Sequence, residues 1–134
     1  MVIDKIKQPH NMFTFSKQEK AQAEKLIVQI RSSILVSKKC TKCFKIIKTL
    51  LSNILKSPEN KQFHTIKLTN KTIQENIAKY DAAVKLLMFT GFKRKGQELN
   101  LVDFQYDRVF EIQKMANSAY MIASMISNFI KNLI

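Results

Sequence analysis

Two cysteines and two histidines are the residues whose types could bind a metal ion or carry redox chemistry. Cys40 and Cys43 have the Cys-x-x-Cys spacing of a redox pair or of half a zinc site. A zinc site needs a second ligand pair, whereas His10 and His64 are isolated, and redox motifs favour a βαβ setting that the flanking residues do not predict. We therefore expect two reduced thiols near a helix start, with no metal and no cofactor.

A large positive charge is the other chemical feature of the sequence. The 23 Lys and Arg residues outnumber the 10 Asp and Glu residues, which gives a formal net charge of +13. Such a charge steers acidic partners to the surface, and an acidic peptide, a nucleic acid and an anionic membrane all satisfy it. The run Lys93-Arg94-Lys95 motivates nucleic-acid binding as the alternative function, although interleaved aromatic residues and a recognition motif are missing around it.

Length and composition are those of one globular domain. A chain of 134 residues buries one adequate core more readily than two, and its two Gly and two Pro residues favour helices over hairpins. The first ten residues, MVIDKIKQPH, carry charges where a signal peptide has its apolar core. We therefore expect a cytoplasmic protein that can also be nuclear.

Apolar residues spaced by three and four predict two amphipathic helices in the first half. The first begins at Ser16, which forms a capping box with Glu19, and residues 1–15 before it read as a loosely docked arm. The second ends near Lys56, because Pro58 cannot continue it. The predicted buried faces are Ala23, Leu26, Ile27, Ile30 and Ile34 in the first helix, and Phe44, Ile47, Leu50, Leu51, Ile54 and Leu55 in the second.

A short strand and a short helix follow. The alternation in FHTIKL, residues 63–68, predicts the strand. Thr72 and Glu75 have the spacing of a second capping box, which would open a helix that buries Ile73 and Ile77.

Another helix and a hairpin come next. Asp81 is the predicted cap of the helix AAVKLLMFT, which presents Val84, Leu87 and Met88 and stops at Gly91. The stretch FKRKGQELNLV predicts a β-hairpin that turns at residues 95–96.

A long last helix runs from about Phe104 to the end. Polar residues interrupt its apolar final twenty positions, which favours packing or self-association over membrane spanning. Its predicted apolar face contains Val109, Ile112, Ala116, Ala119, Ile122, Ala123, Ile126, Ile130 and Leu133.

The element order is thus helix, helix, strand, helix, helix, hairpin, helix. This order predicts a mainly helical α+β fold with a small, about three-stranded, antiparallel sheet. We expect residues 1–39 to form an N-terminal arm and an extra amphipathic helix, and residues 40–134 to form the main domain with the long C-terminal helix.

This element order, with the blocks SNILKSPENKQFHTIKLTNKTI and AAVKLLMFTGF, resembles the PUB domain over about residues 43–115. The features that carry the resemblance are Asn53 before the helix end, the passage Ile66-Lys67-Leu68-Thr69-Asn70, and the pair Gly91-Phe92 before the hairpin. PUB domains occur in cytoplasmic peptide:N-glycanase, in some UBX proteins and in a linear-ubiquitin ligase. The resemblance implies a PUB-like fold.

The resemblance also implies a function. Known PUB domains have no catalytic activity of their own and bind short acidic motifs with an aromatic residue, most often the C-terminal tail of the valosin-containing AAA+ ATPase. We therefore expect a non-catalytic adaptor in ubiquitin and ER-associated degradation pathways. The sequence agrees on catalysis, since no nucleophile is accompanied by a base and an orienting group.

The same resemblance implies the peptide-binding residues. Asn53, Lys67, Asn70 and Thr72 fall at positions that line the family's groove, and Leu50 replaces a tyrosine that is common there. Lys71 adds positive charge close by. The alternative interpretation is structural: Asn70 would cap a helix, and the lysines would be ordinary solvated residues.

Overall fold

The first described helix begins at the predicted capping box. The computed structural model describes residues 16–34 and 37–133, so the predicted arm, residues 1–15, lies outside the described residues. Helix α1 spans Lys17–Ser33. The Ser16 hydroxyl accepts from the Glu19 N–H at 3.1 Å, and the Glu19 carboxylate accepts from the Ser16 N–H at 3.1 Å. These reciprocal bonds satisfy donors at the helix start, which confirms the box.

Helices α2 and α5 form the centre of the core. Helix α2 spans Ser37–Lys56, beginning earlier than its apolar stripe predicted, and α5 spans Tyr106–Leu133. Gln113 of α5 donates to the Ser52 hydroxyl of α2 at 3.1 Å. Later in α5, the ring of Tyr120 lies 5.3 Å from the ammonium of Lys48, which precedes Ser52 in α2, so the two helices run antiparallel. The buried residues of this seam are Cys40, Cys43, Phe44, Ile47, Leu51 and Ile54 from α2, and Val109, Ile112, Ala116, Ala119 and Ala123 from α5.

The structure contains a small three-stranded antiparallel sheet, as predicted. A 3₁₀ turn, Lys61–His64, leads into β1, Thr65–Lys67, so the strand is shorter than the alternating segment. Strands β2, Phe92–Lys95, and β3, Glu98–Leu101, form the predicted hairpin. The order is β1-β3-β2, with Ile66 opposite Leu99 and Phe92 opposite Leu101. Ile66, Leu99 and Phe92 are buried, which fixes the register.

Two short helices join β1 to β2, and both predicted caps are wrong. Helix α3, Lys71–Ile73, continues as a π-helical turn, Gln74–Ala78, and buries Ile73 and Ile77 as predicted. Its cap is Asn70, not Thr72, because the chain turns two residues earlier than the capping-box spacing indicated. Helix α4 spans Asp81–Phe89; Asp81 is its first residue and forms an ion pair with Lys85 at 2.9 Å instead of capping it.

Arg108 joins three elements that are distant in sequence. Its guanidinium pairs with the Glu19 carboxylate at the start of α1 and donates to the Phe89 carbonyl at the end of α4, at 3.3 Å. It also donates to the Gln105 side chain, just before α5, at 3.3 Å. The backbone hydrogen bond from Ser16 is the main cause that lowers the pKa of Glu19, and Arg108 lowers it further. Arg108 therefore fixes α1 against the α4–α5 corner.

The predicted apolar face of α5 divides into a buried half and an exposed half. The buried residues of this face are Val109, Ile112, Ala116, Ala119 and Ala123, whereas the large apolar side chains beyond Tyr120 are solvent-exposed. The exposed side chains, which we call the α5 stripe, are Met121, Ile122, Met125, Ile126, Phe129, Ile130 and Leu133. None of the helices in the two described ranges has the length and apolar character needed to cross a membrane.

The two glycines provide a stability test. Gly91 has φ +126° after α4, and a Cβ there would lie 2.5 Å from the Asp103 carbonyl oxygen. We expect Gly91→Ala to lower the free energy of unfolding by at least about 2 kcal/mol, because backbone strain and a backbone clash act together. Gly96 in the hairpin turn has φ +61° and open space around its Cβ position, so Gly96→Ala should cost only about 1 kcal/mol. Urea unfolding of the two variants measures the difference, and equal losses would contradict it.

Candidate functional site

An open groove lies where the predicted site residues were expected. It runs between α2, the 3₁₀ turn, β1 and the start of α3, with a volume of about 630 Å³. The protein's own side chains do not fill it. We call it the β1 groove, and its lining residues are Leu50, Lys61, Gln62, Thr65, Ile66, Lys67, Asn70 and Ile73.

The groove combines an apolar floor with a cationic rim. Leu50 is half-buried, and Ile66 and Ile73 are buried behind it. Lys61 and Lys67 are exposed at the rim. Glu98 faces Lys67 across the strand pair and reduces the local positive potential, so Lys61 contributes much of the net charge here. This surface suits a chain that carries both a carboxylate and an apolar side chain.

Asn70 has a structural role at the edge of the groove. Its side-chain oxygen accepts from the Ile73 N–H at 3.2 Å, and its carbonyl accepts from the Gln74 N–H at 2.7 Å. The first turn of α3 thus already has acceptors for two N–H groups, which are not available as donors to a ligand. The Asn70 side-chain nitrogen donates to no described residue. Asn70 can therefore offer a ligand the donor of its side-chain nitrogen, while its side-chain oxygen already accepts one hydrogen bond.

The structure brings together Leu50, Lys67 and Asn70 and leaves the other three predicted site residues outside the groove lining. Asn53 is half-buried near the end of α2, and its carbonyl accepts from the Ser57 N–H at 3.1 Å. Lys71 and Thr72 are exposed on α3, where the Thr72 carbonyl accepts from the Asn76 side chain at 2.8 Å. The roles of all six residues in peptide binding stay predictions.

Sequence reasoning missed five lining residues. Lys61 and Gln62 reach the groove because Asn60 caps the 3₁₀ turn, accepting from the Gln62 N–H at 3.0 Å. An Asn directly before a polar pair and two residues after Pro58 is a sequence signal for this turn. The other three, Thr65, Ile66 and Ile73, lie beside predicted residues but were assigned only to strand or core.

The cysteine pair lies in the core and away from the groove. Cys40 and Cys43 are free thiols, both buried on the first turns of α2. Burial raises the pKa of the Cys43 thiol to about 12, and the neighbouring Cys40 contributes to this shift. Burial also raises the pKa of Cys40, with Arg31 acting in the opposite direction. Both thiols are therefore protonated near neutral pH and pack as small apolar side chains.

His64 does not join the two cysteines in a metal site. His64 approaches the Pro58 carbonyl with its Nε2 at 2.7 Å and stacks on Phe104, with ring centroids 6.3 Å apart. Across residues 16–34 and 37–133, no cluster of three or more His, Cys, Asp or Glu side chains could hold a metal ion. His10 lies outside the described residues.

Comparison with known protein families gives one result. The family model described as PUB domain matches residues 37–120. The match begins at the first residue of α2 and ends within α5, so it contains the β1 groove and the sheet and excludes α1 and the α5 stripe. A comparison with curated proteins found no match.

The raised pKa of Cys43 predicts a pH dependence of stability. Below about pH 9, the ordinary pKa, the thiol is protonated in both the folded and the unfolded chain, and its full contribution to stability is present. Between pH 9 and about 12 only the unfolded thiol ionises, so stability falls by at most about 1.4 kcal/mol per pH unit. Cys43→Ala removes this term. We therefore expect the stability difference between wild type and Cys43→Ala, measured by urea unfolding, to shrink as pH rises from 9 to 10.5. A constant difference would contradict it.

Proposed function

The chain belongs to the PUB domain family, which is a family of protein–protein interaction domains, and we propose that its β1 groove binds the acidic C-terminal tail of a valosin-containing-protein-type AAA+ ATPase. The observation that carries this proposal is the open groove between α2 and β1, with Leu50 at its floor and Lys61 and Lys67 at its rim. A tail of this kind supplies the two matching groups, namely carboxylates and a large apolar side chain.

Each part of the groove has a role in the proposed complex. Lys61 and Lys67 attract the carboxylates, and the Asn70 side-chain nitrogen donates to a peptide carbonyl. The floor formed by Leu50 and Ile66 receives the aromatic or leucine side chain of the tail, whose burial contributes about 1.5–3 kcal/mol. The interface is small, so we expect micromolar affinity, raised by avidity when several tails of one ATPase assembly are present.

The proposal includes the cellular setting. A domain that binds such a tail without modifying it acts as an adaptor, which fits ubiquitin and ER-associated degradation pathways in the cytoplasm or nucleus. Asn53, Lys71 and Thr72 stay in the proposal as residues near the groove, at which a longer ligand can make further contacts.

Nucleic-acid binding has weaker support. Lys93, Arg94 and Lys95 are exposed on β2, on the opposite edge of the sheet from β1. The Arg94 side chain donates to the Gly96 carbonyl at 3.1 Å, so it stabilises the hairpin turn. The aromatic residue of this strand, Phe92, is buried, so β2 presents no exposed ring on which bases could stack.

The α5 stripe supports a second proposal, self-association through α5. Its seven side chains form an exposed apolar surface on the order of several hundred Å², and patches of that size are often functional. Lys131 is the only charged residue from 115 to 133, so two highly positive chains repel each other least along this segment. Attachment to a membrane surface fits less well, because an interfacial helix has Lys and Arg along its polar face. A second copy of the chain is thus the partner that this surface suits.

Titration with an acidic peptide that ends in an aromatic and a small residue tests the main proposal. We expect micromolar binding, and at least a fivefold loss for Lys67→Glu because a rim cation becomes an anion. Asn70→Ala should weaken binding several-fold but also removes a helix cap. Asn70→Ser retains a capping oxygen and removes the amide donor, so an equal loss in this variant assigns the effect to the ligand contact.

Lys93→Glu is the matched control for Lys67→Glu, since it makes the same charge change outside the groove. We expect its peptide affinity to stay within about twofold of the wild type. Calorimetry without heat change, together with unmoved chemical shifts at Leu50 and Asn70, would refute the tail-binding proposal. Tight binding of random DNA that falls steeply with salt, without peptide binding, would favour the nucleic-acid alternative.

Sedimentation analysis tests self-association. We expect the wild type to form dimers at high micromolar concentration, and the double variant Met125→Glu/Phe129→Glu to remain monomeric because charges replace two exposed apolar contacts. Val102→Glu is the control, because Val102 is 66% exposed and lies outside the α5 stripe. A wild type that stays monomeric at every concentration would exclude the proposal.

A further inference from the structure

A second groove lies along the N-terminal half of α2. It has a volume of about 500 Å³ and faces Tyr120 of α5. Half-buried Ile46 and Leu50 form its floor together with the Tyr120 ring. Lys42 and Lys45 are exposed along its rim, as is Lys38 at its far end. We call it the α2 groove.

All charged residues of α2 are positive. The helix carries six lysines and no acidic residue. Lys48 holds its ammonium 5.3 Å from the Tyr120 ring centroid, which fixes that ring at the edge of the groove and adds a further cation beside it. The rim therefore attracts anions without an acidic side chain from its own helix to neutralise it.

The two grooves adjoin each other at one residue. Leu50 lines both the α2 groove and the β1 groove. Ile46 lies one helical turn before Leu50, so the apolar floor extends along the helix axis. The distance along α2 from Leu50 to Lys38 is about 18 Å at 1.5 Å per residue. An extended peptide covers that length with roughly five residues.

We propose that the α2 groove binds the acidic residues immediately upstream of the chain end held in the β1 groove. The peptide passes over Leu50 and runs toward Lys38, with Asp and Glu side chains directed at Lys42 and Lys45. This inference rests on the proposed function of the β1 groove and gives the ligand a direction and a length. An acidic peptide fits better than a nucleic acid, because the Ile46–Leu50 floor accepts aliphatic side chains that a phosphodiester chain lacks.

Three synthetic peptides test the inference by calorimetry at low salt. The first has only the five C-terminal residues of an acidic tail, the second adds five upstream residues rich in Asp and Glu, and the third replaces those acids with Asn and Gln. We expect the second peptide to bind about tenfold more tightly than the other two, since several partly exposed charge pairs each add a small amount. The gain should diminish as salt rises.

Two double variants test which lysines produce the gain in affinity of the long acidic peptide. In Lys42→Gln/Lys45→Gln the long acidic peptide should lose most of its tenfold advantage, while the Kd of the short peptide changes by less than about twofold. Lys79→Gln/Lys93→Gln removes the same charge elsewhere and should retain the advantage. Methyl shifts of Ile46 should move with the long acidic peptide and not with the short one.

The outcomes separate the two proposals. If the short peptide binds and the upstream acids add nothing, the α2 groove is not part of the site and the β1 groove proposal stands. If the Lys42/Lys45 variant weakens short and long peptides equally, the effect is one of net charge and the inference is also wrong. If no peptide binds, both proposals are excluded.

Discussion

The packing of α2 against α5 is the contact on which the rest of the structure depends. It is the most extensive contact between any two elements in the described ranges, and it sets which side of α2 faces water. Because Phe44, Ile47 and Leu51 are buried in the core, the lysines of α2 all lie toward solvent or at the edges of the α2–α5 contact. Both grooves result from this separation, since half-buried Ile46 and Leu50 lie at the border between the apolar and the cationic side.

The second constraint is the corner that Arg108 holds. Helix α1 lies outside the family match, yet its first turn is fixed through Glu19 to the same guanidinium that binds the end of α4. The Phe89 ring lies 5.5 Å below that guanidinium, so the ion pair has an apolar support on one side. Helix α1 is therefore packed as part of the domain, and it lies against α4. Its buried residues Ala23, Ile27 and Ile30 extend the core beyond the residues of the family match.

Local patterns predicted the elements, and contacts between distant segments could not be predicted in the same way. The Ser16 capping box and the hairpin turn at Gly96 depend on neighbouring residues, and both are confirmed. The cap of α3 was predicted at Thr72, with a cap at Asn70 as the alternative, because both residue types cap helices and only the turn after β1 selects between them. Lys61 lines the groove because of the orientation of the 3₁₀ turn relative to α2, and the spacing of residues in the sequence does not predict that orientation. The convergence of Tyr120 and Ile46 likewise needs the register of α5 on α2.

Leu50 is the apolar residue that the two grooves share. A leucine at this position offers a ligand aliphatic contact without aromatic stacking. Tyr120 contributes an aromatic ring to the floor of the α2 groove, and the Lys48 ammonium is placed over it. Tyr120 is the one aromatic residue among those that line the two grooves. In the proposed complex, the acidic residues of the ligand lie beside the lysines of α2, and its chain end lies beyond Leu50. Charge should therefore contribute more to recognition here than aromatic stacking does.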